Sequence, residues 1–199
     1  ADETIATRDL EKNRTIFSGA VGVSSEEDLY RVVTFGMKQH EADDLPPVTG
    51  AEYFVDHSPD RAILNGVHIT RGNANHPNDE SLQNGGGARV TFNGVIQQCH
   101  IYDCRALRRG GAVYLAGDAD RTTGGYLNTS QLWNNSAGEG GAVYADDNTT
   151  VWGCTIVRNS THSNGLGGGL AFGNRVMVMN TVLWGNESGQ GKNISGNQS

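Results

Sequence analysis

Two short strand-like patterns recur along the chain and alternate with each other. The first starts with two glycines and continues into an apolar segment, and it occurs at 86–90, 110–114, 140–144 and 168–172. The second is a three-residue segment that ends in a large aliphatic residue, and it occurs at 67–69, 99–101, 130–132, 154–156 and 180–182. A unit that recurs every 20 to 45 residues or so is typical of a solenoid whose turns stack. Each pair of segments therefore predicts one turn, or rung, of a coil.

Alternation along a strand places residues two apart on the same face of a sheet. In the second pattern this predicts a buried column of Ile69, Ile101, Leu132, Ile156 and Val182. Beside it we expect a second inward column of Val67, Cys99, Ser130, Cys154 and Asn180. The segments are too short and too far apart for hairpins, and no apolar stripe of helical period fills the gaps. The predicted fold class is all-β, a right-handed parallel β-helix of short stacked rungs.

The regular pattern covers residues 61–186. Residues 1–60 carry it less clearly, and we expect irregular rungs there with a surface loop inserted around Pro46-Pro47. Residues 187–199 are polar and predict the start of a further rung. Asn135, Asn159 and Asn186 suit turns that enter the left-handed region, where an Asn side chain can hydrogen-bond to the next rung. Most of the N-x-S/T sequons are interpreted as by-products of this turn chemistry and not as glycosylation sites.

Composition narrows the range of partners. The 28 glycines among 199 residues are about twice the average share, which fits short strands joined by tight turns. A net charge of −7 disfavours nucleic acid, and no apolar stretch predicts membrane insertion of this segment. Three cysteines without CxxC spacing predict neither zinc nor a disulfide, because Cys99 and Cys154 would lie two rungs apart. We expect them to act as small buried apolar residues.

The repeats resemble a known group of proteins. Gly-Gly-Ala-Val-Tyr occurs at 110–114 and 140–144, and Leu-Trp-Asn-Asn and Ile-Val-Arg-Asn occur at 132–135 and 156–159. These motifs resemble the repeats of chlamydial polymorphic outer-membrane proteins, and they are more similar to right-handed β-helix surface proteins of Bacteroidetes type. The resemblance implies an extracellular or bacterial cell-surface location. It implies little about activity, because the members are mostly adhesin-like or of unknown role, and a fold alone does not give a function.

Four carboxylates follow equivalent strands of two neighbouring rungs. Asp118 and Asp120 come after one Gly-Gly strand, and Asp146 and Asp147 come after the next. Stacking would bring the two loops to about 5 Å from each other. Such a group can chelate Ca²⁺, the one cofactor that the sequence suggests. The alternative interpretation is two solvated turns of an acidic protein.

The same acidic edge could serve a polysaccharide lyase or another carbohydrate-active enzyme. Arg108, Arg109 or Arg121 would then be the base or the cation that binds a substrate carboxylate. The Asn-Thr-Asp and Gly-His-Gly signatures of polygalacturonases are absent from the sequence. The enzyme is therefore kept as an alternative to binding.

An aromatic and aliphatic column is expected on the outside of the second pattern. Alternation predicts that it contains Tyr102, Trp133, Val157 and Leu183. Tyr102 and Trp133 would lie about 5 Å apart on neighbouring rungs, where they could bind a sugar ring or an apolar protein surface. The alternative is that another part of the chain covers them.

These features lead to three functional hypotheses. The leading one is a non-catalytic, adhesin-like module that binds a polysaccharide or a surface protein through Tyr102 and Trp133. The second is a fragment of a carbohydrate-active enzyme, above all a lyase. The third is a structural stalk that carries another domain.

Overall fold

The computed structural model describes residues 14–19, 31–35, 61–91, 93–117 and 124–196. Within these ranges the chain forms 21 short strands, one 3₁₀ turn at Glu80–Leu82 and no α-helix. In that part of the chain, no helix is long and apolar enough to cross a membrane. Most of the expected N-terminal region, including the loop around Pro46-Pro47, lies outside the described residues.

The strands follow one another in six rungs. The first described rung contains β1 (Ile16–Ser18) and β2 (Val33–Phe35). The second contains β3 (Ala62–Asn65), β4 (His68–Thr70), β5 (Asn73–Ala74) and β6 (Ala88–Val90). The third contains β7 (Gly94–Gln97), β8 (His100–Tyr102), β9 (Arg105–Ala106) and β10 (Val113–Leu115). The fourth contains β11 (Tyr126–Asn128), β12 (Gln131–Trp133), β13 (Ser136–Glu139) and β14 (Val143–Ala145). The fifth contains β15 (Thr150–Trp152), β16 (Thr155–Val157), β17 (Ser160–Leu166) and β18 (Leu170–Phe172). The sixth contains β19 (Met177–Met179), β20 (Val182–Trp184) and β21 (Ile194–Gly196).

Strands at the same place in successive rungs pair in parallel and form four sheets. Sheet 1 contains β3, β7, β11, β15 and β19, and sheet 2 contains β1, β4, β8, β12, β16 and β20. Sheet 3 contains β5, β9, β13 and β17, and sheet 4 contains β2, β6, β10, β14, β18 and β21. A coil that visits four parallel sheets in the same order on each turn is a parallel β-helix. The fold class that the repeat predicts is therefore confirmed.

Residues with a left-handed backbone conformation, that is a positive φ, lie at the corners between sheets. Those between sheets 2 and 3 are Arg71, Asp103, Asn134, Arg158 and Gly185. Each of these residues directly follows a strand of sheet 2. In the fourth, fifth and sixth rungs an asparagine comes one position later, namely Asn135, Asn159 and Asn186. The expectation that Asn135 and Asn159 themselves take the left-handed conformation is therefore wrong by one residue. The corner residue bends the chain from sheet 2 to sheet 3, and the asparagine that follows it is buried.

The inward asparagines form a hydrogen-bonded ladder, as expected for side chains that contact the next rung. Asn135 Nδ2 donates to Asn159 Oδ1 at 2.9 Å, and Asn159 Nδ2 donates to Asn186 Oδ1 at 3.0 Å. The same Oδ1 atoms accept the backbone N–H groups of Asn135 and Asn159. All three side chains are buried. A buried, fully bonded amide cannot accept a glycan, so the sequons at Asn159 and Asn186 are structural.

The buried column of sheet 2 is confirmed for four of its five expected members. Ile69, Ile101, Leu132 and Ile156 pair in register and have no exposed surface. The prediction for Val182 is wrong. Leu183 pairs with Ile156 instead, and Val182 points outward with 56% of its surface exposed. A one-residue shift of register moves every side chain to the opposite face.

The same shift corrects the second inward column. Thr181 Oγ1, not a group of Asn180, accepts the N–H of Cys154 at 3.4 Å. Two rungs earlier, Ser130 Oγ accepts the N–H of Cys99 in the same way, at 3.1 Å. The expected stacking of Cys99, Ser130 and Cys154 is therefore confirmed, and only the last member of the column changes.

The glycine repeat also has a different register from the one read in the sequence. The left-handed glycines before sheet 4 are Gly85, Gly110, Gly140, Gly167 and Gly191. The alignment of 86–90 and 168–172 with the other repeats is therefore one residue late. A Cβ atom on Gly110 would lie 2.1 Å from the carbonyl oxygen of Val113, so both the conformation and the space require glycine.

The three cysteines are free and buried, which confirms the predicted absence of a disulfide. Burial raises the pKa of the Cys104 thiol to about 12 and that of Cys154 to about 11. The thiols therefore remain protonated at neutral pH and behave as small core residues.

Candidate functional site

Only half of the predicted calcium site lies in the described part of the chain. Asp118, Asp120 and the nearby Arg121 lie outside it. Asp146 and Asp147 follow β14, as expected. Asp146 Oδ2 accepts a hydrogen bond from the Tyr114 hydroxyl at 2.7 Å, and Asp147 Oδ1 accepts the N–H of Asn174 at 2.8 Å. The described residues contain no group of three or more His, Cys, Asp or Glu that could hold a metal ion. The four-aspartate site stays a prediction.

The outer face of sheet 4 carries two stacked tyrosines, with Asp146 bonded to one of them and Arg109 packed on the other. The Tyr114 and Tyr144 rings stack with centroids 5.9 Å apart, and the Arg109 guanidinium lies 4.4 Å from the Tyr144 centroid. Burial, together with the negative charge of Asp146, raises the pKa of Tyr114 far above its usual range. Burial also raises the pKa of Tyr144. Both phenols therefore stay protonated at neutral pH and can donate hydrogen bonds.

The two described arginines of the enzyme hypothesis have acidic partners of their own. Arg108 forms an ion pair with Glu80, and Arg109 Nε donates to Glu139 Oε2 at 3.1 Å. Arg109 lies before β10, whereas Asp146 follows β14, so the two groups occupy opposite ends of sheet 4.

The outer column of sheet 2 is the main aromatic feature of the described surface. In register, the column contains Thr70, Tyr102, Trp133, Val157 and Trp184. Leu183 was expected in it but lies on the inner face, where it packs against the core. Trp184 takes its place and leaves 64% of its surface exposed. The structure therefore adds a third aromatic residue to the column.

Tyr102 and Trp133 stack on each other. Their ring centroids are 4.6 Å apart and the ring planes differ by 7°, which confirms the expected spacing. This separation matches the distance between paired strands, so the stack runs along the solenoid axis. Each ring therefore covers one face of the other, and no sugar ring fits between them. Both residues are half-buried, so part of each ring stays accessible.

A second outer column runs beside the aromatic one on the same face. It contains His68, His100, Gln131, Thr155 and Val182. The His100 ring packs edge-on against Trp133 with centroids 5.7 Å apart. Gln131 and Thr155 are exposed. Sheet 2 therefore presents hydrogen-bonding groups about two residues, or 7 Å, from the aromatic column.

Apolar side chains accumulate on the outer surface near the last rung. Trp152 of sheet 1 pairs with Met179 and is 48% exposed. Val182 is the first residue of β20 in sheet 2 and is 56% exposed, and Trp184 lies two residues further on. We call Trp152, Met179, Val182 and Trp184 the apolar patch. Equivalent sheet 1 positions in earlier rungs are Asn65, Gln97 and Asn128, which are polar.

Comparison with protein-family models, with curated proteins and with solved structures finds no match to this chain. The resemblance of its repeats to bacterial surface proteins therefore stays a prediction, and function has to be argued from the surfaces described above.

Proposed function

We propose that this chain is a non-catalytic binding module of an extracellular or bacterial cell-surface protein, and that it binds a glycan through the outer face of sheet 2. The observation that carries the proposal is the in-register aromatic column that ends in the exposed Trp184. Exposed indole rings bind the apolar face of a sugar, and polar side chains beside them bind its hydroxyl groups.

The two parts of the column have different roles in this proposal. Trp184 offers a ring face for stacking because it is 64% exposed and has Val157 as its paired neighbour. Tyr102 and Trp133 use their shared faces for each other, so they contribute the hydroxyl and indole N–H donors of their edges. Gln131 and Thr155 supply further hydrogen bonds from the neighbouring column.

A location outside the cell is supported by the resemblance of the repeats. The Gly-Gly-Ala-Val-Tyr motif at 110–114 and 140–144 is similar to motifs of bacterial β-helix surface proteins. The proposed ligand agrees with this location, since glycans are abundant on cell and matrix surfaces. The net charge of −7 favours a neutral or weakly charged glycan over a polyanion.

A protein partner is the second candidate, and the apolar patch favours it. Contiguous exposed apolar side chains mark protein interaction sites in many soluble proteins. A glycan would depend mainly on Trp184, whereas a protein partner would bury Trp152 and Met179 as well.

The test compares two tryptophans of similar exposure on neighbouring sheets. The purified chain is screened on a glycan array, and the best ligand is titrated by calorimetry into wild type, Trp184→Ala and Trp152→Ala. We expect Trp184→Ala to weaken binding about tenfold, because aromatic stacking contributes about 0.5–1.5 kcal/mol beyond burial. Trp152→Ala should bind like wild type.

The outcomes separate the hypotheses. An array without any ligand, or equal affinity of Trp184→Ala and wild type, contradicts glycan binding at this face. Equal loss in both variants would place the glycan on the apolar patch instead of on the aromatic column. Thermal melts of both variants show whether the fold is intact.

A further inference from the structure

A cleft opens on the outer side of sheet 3 where two neighbouring strands differ in length. Ala137 of β13 pairs with Thr161 of β17, and Glu139 pairs with Leu166. Between these pairs the single residue Gly138 faces the four residues 162–165. The longer strand bulges outward and forms one wall of a cleft of about 430 Å³. Arg108, Arg109 and Glu139 form the opposite side.

The floor of the cleft is backbone, because glycines allow the rungs to approach closely. A Cβ atom on Gly138 would lie 2.8 Å from the carbonyl oxygen of Arg108. A Cβ atom on Gly165 would lie 2.1 Å from the carbonyl oxygen of Gly138. A larger residue at either position would collide with the backbone of the neighbouring rung, so the close approach of the rungs at the floor requires glycine.

Arg109 is held in one orientation at the wall of this cleft. Its Nε donates to Glu139 Oε2 at 3.1 Å, and its guanidinium lies 4.4 Å from the centroid of the Tyr144 ring. Its side chain is 35% exposed. The described part of the chain gives its two terminal nitrogens no hydrogen-bond acceptor. A guanidinium fixed through Nε and stacked on an aromatic ring presents a preorganised fork for a carboxylate.

Apart from Arg109, the groups that line the cleft suit the hydroxyl groups of a ligand better than a negative charge in addition to its carboxylate. His162 and Asn164 are exposed on the bulge and can donate or accept hydrogen bonds. Glu139 can accept from a hydroxyl. The positive charges of Arg108 and Arg109 are already balanced by Glu80 and Glu139. A dianion such as phosphate would therefore bring twice the uncompensated negative charge of a single carboxylate into the cleft.

We infer that this cleft binds a single sugar unit that carries a carboxylate. The carboxylate binds the two terminal nitrogens of Arg109, and the sugar hydroxyls bind Glu139, His162 and Asn164. The site lies on a different surface from the aromatic column of sheet 2. It is therefore independent of the proposed function, and each can fail without the other.

The test measures the affinity of the whole chain for glucuronate by ligand-observed NMR titration. Glucose is the neutral sugar probe, N-acetylglutamate is the carboxylate probe without a sugar ring, and inorganic phosphate is the dianion probe. We expect glucuronate to bind more tightly than each of the three. Arg109→Gln should weaken glucuronate binding about tenfold or more, because it removes the charged fork. Arg158→Gln, a change at an exposed corner away from the cleft, should leave the affinity unchanged.

A second variant keeps the test valid if Arg109→Gln fails to fold. The double variant His162→Ala, Asn164→Ala changes only exposed residues of the bulge, and it should also weaken glucuronate binding while the thermal melt stays at the wild-type position. Unchanged affinity in both variants would overturn the inference. If glucose or phosphate bound as tightly as glucuronate, the site would not select a carboxylate. If N-acetylglutamate bound as tightly, the site would not require a sugar ring.

Discussion

Asn159 connects three rungs through one side chain. Its Nδ2 donates to the carbonyl oxygens of Leu132 and Val157 and to Asn186 Oδ1, and its Oδ1 accepts from Asn135. Short polar side chains usually compete with regular backbone hydrogen bonds. Here the coil repeats the same inward position on each turn, so the amides satisfy one another and the backbone of the corner. The residue is buried without leaving a donor or acceptor unpaired.

We expect Asn159→Ala to lower the free energy of unfolding by about 3 kcal/mol or more. The change leaves the buried N–H of Asn135 without its acceptor and removes the hydrogen bonds from Asn159 Nδ2 to the carbonyl oxygens of Leu132 and Val157. Each buried group left unsatisfied costs about 1–3 kcal/mol. Urea unfolding followed by circular dichroism measures the loss. The control is Asn174→Ala, because the Asn174 side chain is exposed. A similar loss in both variants would mean that the ladder contributes no special stability.

At the scale of elements, strand pairing follows the sequence pattern wherever the corner lengths are constant. Sheet 2 was predictable from Ile69, Ile101, Leu132 and Ile156 because one residue separates each from the corner that follows. The pattern fails at the last rung, where Val182 and Leu183 are both aliphatic and alternation cannot choose between them. Three consecutive glycines at 85–87 and 167–169 create the same ambiguity for sheet 4. Only pairing with the neighbouring rung fixes these registers.

Leu132 tests the core of sheet 2 at its centre. It lies between Ile101 and Ile156 and has no exposed surface. We expect Leu132→Ala to cost about 2–5 kcal/mol, the usual range for a leucine truncated in a packed core. Gln131→Ala, one residue earlier on the outer face, should change stability by less than about 0.5 kcal/mol. Equal midpoints of urea unfolding for the two variants would contradict the inward direction of Leu132.

The candidate sites were only partly predictable, because they depend on what lies between rungs. The stack of Tyr102 on Trp133 follows from alternation and strand spacing. The cleft was missed, although the sequence contains a signal for it. The distance from Asn159 to Gly167 is longer than that from Asn135 to Gly140, which indicates an insertion at sheet 3. Its lining could not be read from the sequence, since the orientation of Arg109 depends on Tyr144 and Glu139 together.

At the scale of the whole molecule, each rung is stabilised by its neighbours. Strands of the fourth rung pair with a rung on either side, whereas β19, β20 and β21 each lie at the edge of their sheet. The stability of a solenoid is approximately a sum of contributions from rungs and from the interfaces between adjacent rungs. The sixth rung has one such interface among the described residues, and its apolar side chains are correspondingly exposed.

Hydrogen exchange can test this one-dimensional organisation with three matched amides of sheet 2. The N–H groups of Gln131, Thr155 and Val182 donate to the carbonyl oxygens of Cys99, Ser130 and Cys154 at 2.9, 2.9 and 2.8 Å. Their hydrogen bonds are thus alike, and the amides differ mainly in how many rungs cover them. We expect Val182 to exchange fastest and Gln131 slowest, because the end rung can open while interior rungs stay stacked. Equal rates for the three, measured by NMR, would show that the coil opens only as a whole and would contradict stability built rung by rung.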